Sequence, residues 1–274
     1  MAIALTSEEK VILSSVSIPP RPEVLLKFSE EAKKEEPNIS VISNILQSDV
    51  AISAAILQVV NSAAFRRSKE IESIDQAIMT LGLKRLVPLV KAVALQSTVG
   101  NDPALANFWN SQTDIAQFSA AIATKLNKAG LANHAYMLGL FHFVGIPILN
   151  QHFSEFSQII SLANQEGWDC AAQEELATFN TSHTTIGALL SQQWGLPKAM
   201  IYVIYYLHDT EGIFTSGELD KTGLDLMSIL KIARHGQFKA ANPDKTDNEW
   251  LNVVDDVADH LGLDEQELQE LITE

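Results

Sequence analysis

Apolar residues recur along this chain at spacings of three and four and rarely alternate, so the pattern predicts helices throughout and no sheet. In "TSEEKVIL", Thr6 is followed three residues later by Glu9, a capping-box pattern. Pro19 and Pro20 break the chain, and Pro22 suits the first turn of a new helix whose Val24, Leu25 and Phe28 share one face. "NISVISNILQSDVAISAAILQVVNSAAF" reads as two helices, the second capped by Ser48 or Asp49. Ser73 caps a short helix with Ile74, Ala77, Ile78 and Leu81 as its stripe, and Gly82 ends it. Gly, Asn, Asp and Pro cluster in "TVGNDPAL", residues 98–105, and mark a boundary. Beyond it the spacing predicts helices over about 105–129, 134–149, 153–165, 171–179, 183–194, 197–207, 224–240, 248–261 and 264–273. The expected architecture is all-α and two-lobed: an N-terminal lobe over 1–100 and a second lobe over 101–274 that includes a C-terminal helical extension. "HDTEGIFTSGELDKTG" is the longest irregular stretch.

Composition fits this picture. Hydrophobic residues make up 46% of the 274, enough for a real core and against disorder. No apolar run reads as long enough to cross a bilayer; Pro88 and Lys91, for instance, interrupt residues 86–95. The first residues lack the pattern of a signal peptide. Cys170 is the sole cysteine, so no internal disulfide can form, and a cytoplasmic location is expected. Net charge is −15. Residues 1–100 balance 11 basic against 11 acidic side chains, so the excess falls entirely on the remainder, which argues against general nucleic-acid binding, and with no spanning run no membrane partner is expected. Against that background Arg66, Arg67, Lys69, Lys84, Arg85 and Lys91 form a basic cluster in the first lobe. It is either a solvated face or a docking surface for an acidic protein partner.

The candidate chemistry centres on "AYMLGLFHFVGIPIL", residues 135–149, where His142 stands alone in an apolar run. A buried imidazole needs a polar partner, whether a metal, a neighbouring side chain, a backbone carbonyl or a water. Other chemistries have less support. There is no nucleophile elbow and no phosphate-cradling glycine loop. Cys170 has no basic neighbour in sequence and reads as a packed thiol. Trp109, Trp168, Trp194 and Trp250 read as core contacts, and His134, His152, His235 and His260 as surface residues.

Several stretches, in order, resemble one family. Asp49, the Asn61-Ser62-Ala63 triplet before Phe65, the helix from Ser73-Ile74 to Leu81-Gly82, "GLFHFVG", "HTTIGALLSQQWGLP" and "YYLHD" together are similar to the HDOD domain, a bacterial signalling module related to the HD phosphohydrolases, over about residues 15–210. The resemblance implies an HD-like second lobe. In an HD site, histidines and carboxylates from several helices hold one or two divalent metals that activate a water against a phosphate. Here Trp109 fits the first site helix, but Ser111 stands where a histidine belongs. The His-Asp doublet falls on His142 and Phe143, a later histidine on His183 with Gly187 after it, and a His-His doublet on Leu207 and His208. His142, His183 and His208 remain, able at most to hold a divalent metal weakly, with Glu174 or Glu175 as a conceivable carboxylate unless that pair is a solvated face. His208-Asp209 reads "HD" but lies at the end of another helix. Two functions follow from the resemblance. The first is a signalling module without catalytic residues or cofactor, which binds a protein partner or a small phosphorylated ligand. The second is a metal-dependent phosphohydrolase acting on a nucleotide or other phosphate ester.

Overall fold

The computed structural model describes residues 16, 22–61, 70–99, 106–210 and 212–273. Among these, every regular element is helical. The Thr6–Glu9 capping box, Arg66, Arg67, Lys69 and residues 100–105 of the predicted boundary lie outside them.

The first lobe is built from helices whose ends are set by local chemistry. α1 (Glu23–Ala32) starts after Pro22. α2 (Ile39–Gln47) is capped by Asn38. Asp49, rather than Ser48, caps α3 (Val50–Val60) by accepting from the Ile52 N–H, while the Ser48 hydroxyl turns back to the Ile45 carbonyl. Ser73 caps α4 (Ile74–Leu81), which ends at Gly82 with φ 71°. α5 (Leu83–Val99) continues through Pro88. The Asn61 side chain both donates to the Ile71 carbonyl and accepts from the Ile71 N–H, so it fastens the two ends of the loop between α3 and α4.

The second lobe follows with α6 (Ala106–Lys125), a short 3-10 turn (Ala129–Leu131), α7 (Ala132–Phe141), α8 (Gly145–His152), α9 (Phe156–Glu166), α10 (Trp168–Phe179), α11 (His183–Gln193) and α12 (Lys198–Tyr205). The chain ends with α13 (Lys221–Ala241), α14 (Asn248–Leu251), α15 (Val254–Leu261) and α16 (Glu265–Thr273). α6 and α7 pack most extensively, and closely: a Cβ on Gly139 would lie 2.6 Å from the Ala116 Cα. α13 packs on α6, α7 and α12 and buries Leu226, Met227, Ile229, Leu230, Ile232 and Ala233. The C-terminal extension is therefore part of the core rather than an appendage. The lobes join where α5 meets α7, and the Lys91 ammonium donates to the Gly195 carbonyl across the join.

Two predicted helices are broken. The one expected over 134–149 turns between α7 and α8 through tight three-residue hydrogen bonds, Val144 N–H to Phe141 O and Ile146 N–H to Phe143 O. Here Gly145 packs so closely on the His183 backbone that a Cβ would collide with the His183 carbonyl. The one expected over 248–261 breaks after Leu251. Ala129–His152 does carry enough apolar residues for a membrane span, contrary to the reading of the sequence. It runs as successive helical pieces, and 83% of its most apolar 18-residue window is buried inside the protein, as in a core element of a globular fold.

Candidate functional site

The break between α7 and α8 places His142 and Phe143 at the centre of the second lobe, both buried. His142 Nδ1 donates to the Gly139 carbonyl at 2.7 Å, and its Nε2 is buried without a hydrogen-bond partner. His183 is the first residue of α11, positioned by Ser182, whose hydroxyl caps the helix by accepting from the Thr185 N–H. Glu175 of α10 reaches the same point, fully buried. It accepts from the His183 backbone N–H and, at 2.6 Å, from His183 Nδ1. His208 follows α12, with its Nε2 3.1 Å from His183 Nε2.

The three predicted histidines therefore converge, and the object they surround is a ring. Phe143 lies 4.3, 5.3 and 6.1 Å, centroid to centroid, from His142, His183 and His208, and 5.0 Å from Trp168. The partners assign the protons. His183 Nδ1–H faces the Glu175 carboxylate, and a single proton bridges His183 Nε2 and His208 Nε2. His208 Nδ1 has no hydrogen bond and lies 3.6 Å from a Glu249 oxygen. Burial holds His142 well below the usual histidine range, with the Arg234 charge adding to the effect. Burial likewise pushes His208 down to about 3, against the pull of Glu249.

Over the Phe143 ring also lies a cation, the Arg234 guanidinium, 4.8 Å from the ring centroid. Both ends of Arg234 grip the Glu249 carboxylate, one at 2.9 Å. Lys231 donates to the same carboxylate and, at 2.6 Å, to the Leu207 carbonyl. Burial alone would raise the Glu249 carboxyl, but Arg234 and Lys231 hold it well below its ordinary value. Beside it, His235 stacks on Trp250 at 4.6 Å and bonds Asp247 at 2.8 Å. The cluster opens into a cleft of about 1120 Å³ whose walls include Phe143, Trp168, Lys231, Arg234, Glu249 and Trp250.

Lys231, Arg234 and Glu249 are the functional residues that sequence reasoning missed. Their signal is the intrusion of two cations, one turn apart, into the apolar face of α13 between Leu230 and Ile232 and after Ala233, together with an acid beside Trp250. Several further readings change. Glu174 is exposed, but Glu175 is buried and orients His183, so the pair is not a solvated face. His235 and His260 are not surface residues but are half-buried and hydrogen-bonded to carboxylates, His260 to Asp225 at 2.9 Å. Cys170 is exposed, not packed. Ser111 accepts from Gln237 of α13 at 2.7 Å, and Leu207 is buried. Asp209 is exposed, as expected of the decoy doublet. Of the basic cluster, Lys84 and Arg85 are exposed at the start of α5, whereas Lys91 is engaged at the lobe join.

The donor set does not fit a hydrolytic dinuclear metal centre. Phe143 offers no oxygen where the doublet requires a carboxylate, His183 Nε2 is occupied by His208, and a fixed guanidinium lies over the ring. Among the described residues no group of three or more His, Cys, Asp or Glu is arranged to hold an ion.

The fold has close counterparts. An HDOD domain protein of unknown function from Geobacter sulfurreducens superposes with a TM-score of 0.69 at 20% identity, over 97% of this chain and 91% of that one. A Shewanella amazonensis SB2B protein provisionally named a phosphohydrolase gives 0.65 at 24% identity, over 95% and 91%. A Marinobacter aquaeolei VT8 protein provisionally named a signal transduction protein gives 0.64 at 19% identity, over 98% of this chain and 58% of that one. The chain spans well under half the length of the curated relatives it matches. It covers 38% of an uncharacterized protein from Treponema pallidum (strain Nichols), with 28% identity over 198 residues, 70% of this chain. The sequence profile of the HDOD domain matches residues 18–210, and the chain belongs to the HDOD domain family.

Proposed function

We propose that this chain is a signal-transduction module of the cytoplasm that keeps the HD-like helical fold, does not hydrolyse phosphate esters, and works by binding a protein partner. The observation that carries this reading is Phe143, whose ring fills the position of the doublet's carboxylate and carries Arg234 on its face. A water-activating ion needs anionic oxygen ligands, and the two carboxylates of the site are already spent, Glu175 on His183 and Glu249 on Arg234 and Lys231. The basic residues Arg66, Arg67, Lys69, Lys84 and Arg85 are the proposed docking surface, because a cationic patch on an otherwise acidic protein steers an acidic partner toward it. The test is elemental analysis of protein purified without a histidine tag, together with a screen for hydrolysis of nucleotides and other phosphate esters. The expected result is no stoichiometric dinuclear centre and no turnover. Two divalent ions per chain, or hydrolysis that disappears in His142→Ala, would establish the phosphohydrolase reading instead.

A further inference from the structure

Lys231 and Arg234 project into the cleft with side chains only 3% and 13% exposed, and both spend their charge on one carboxylate. That carboxylate, Glu249, sits on the four-residue helix α14, and its neighbours hold to α13 through the Asp247–His235 bond and the Trp250–His235 stack. The forked grip of Arg234 with Lys231 on a second side is how proteins hold carboxylate and phosphate oxyanions of ligands. One polar atom beside this grip is left unserved. His208 Nδ1 is buried, has no hydrogen-bond partner, and lies 3.6 Å from the nearer Glu249 oxygen. A planar carboxylate has spent both oxygens on the cations. A tetrahedral phosphate has a further oxygen that can hydrogen-bond the unserved imidazole nitrogen, accepting from it or, when the phosphate is protonated, donating to it.

We propose that Lys231, Arg234 and His208 form a binding site for the phosphate group of a small molecule, and that Glu249 is a built-in competitor which vacates the site when that ligand enters. The cleft, about 1120 Å³, has room for a small molecule, with Phe143 and Trp168 as apolar walls for the rest of the ligand. Recognition is by fixed cations and needs no metal, so the proposal stands whatever the metal analysis returns.

The test uses the full chain and pyrophosphate as probe, read by titration calorimetry and by thermal unfolding. Glu249→Gln removes the competitor while keeping the shape, and should bind pyrophosphate at least about tenfold more tightly than the unaltered protein. The variant should also begin with a lowered Tm, because its cations are buried unpaired, and pyrophosphate should restore it while sodium chloride of equal ionic strength does not. Adding Arg234→Gln should abolish both effects. If Glu249→Gln fails to fold, Glu249→Asp, too short to reach both cations, is read in its place with the same expected direction. Equal affinity in the unaltered protein and the Glu249 variant, or binding that survives Arg234→Gln, would overturn the proposal. A phosphoserine peptide that binds as tightly as pyrophosphate would overturn the assignment to a small molecule.

Discussion

Acid should unfold this protein through two buried histidines, His142 and His208. His142 is fully buried with its Nε2 unpartnered, and His208 is held down to about 3, burial being the main cause in each. An unfolded histidine titrates near about 6.5. Below that value the unfolded chain binds two protons that the folded chain refuses. The folded pKa values are depressed, so the stabilisation is complete above about pH 6.5 and is lost as the pH falls toward about 3. Between about pH 7.5 and pH 5 each histidine should cost about 2 kcal/mol, and the two together about 4 kcal/mol. That is a large share of the total stability of a domain, which is about 5 to 15 kcal/mol. The assay is urea unfolding at the two pH values for the unaltered protein, His142→Gln and His208→Gln. The other histidines are common to all three, so the differences isolate these two sites. His142→Gln is the cleaner variant, because the ring's one hydrogen bond goes to a backbone carbonyl that the glutamine amide can also serve. Each variant should lose about half of the effect, near 2 kcal/mol. The same acid loss in all three proteins would refute the reasoning.

Gly145→Ala should destabilise by more than about 2 kcal/mol and shift the His183 resonances in an NMR spectrum, because the added methyl meets the His183 carbonyl. Phe143→Ala should cost about 3 to 5 kcal/mol by chemical denaturation, through loss of a buried ring that packs three imidazoles and a guanidinium. Glu175→Gln should cost about 1 to 3 kcal/mol, since one amide cannot accept from both the His183 N–H and its Nδ1–H as the carboxylate does. Asp49→Ala should cost about 1 kcal/mol by the same assay, through loss of the cap on α3.

Much of the fold was legible because helix ends are local chemistry. Ser73 and Gly82 act on neighbours three or four residues away, and their roles can be read from the chain alone, which narrows the cap of α3 only to Ser48 or Asp49. The break at His142–Val144 was not legible, because an unbroken apolar run looks the same whether it continues or turns. What decides is Gly145 against the backbone of His183, a contact between residues 38 positions apart (183 − 145). The site divides the same way. The histidines carried a spacing that could be matched, and the substitution at Phe143 was visible at once. Lys231, Arg234 and Glu249 carry no such spacing. Their meaning arises only when α13 and α14 fold back over the ring of Phe143. A buried Glu175 and an exposed Glu174 cannot be told apart by type, only by the face of α10 that meets His183.

The cap over Phe143 also has a consequence in time. His142 and Arg234 are separated by 92 residues (234 − 142), so a ribosome working at about 5 to 20 residues per second takes roughly 5 to 20 seconds to pass from one to the other. For that interval the nascent chain carries α6 and α7 without α13, the helix that covers both. Their apolar flanks and the ring of Phe143 then face water, or a chaperone. α13 is synthesised well after the ring and the helices it covers, so a chain interrupted before residue 221 would have its core open rather than merely lack a tail.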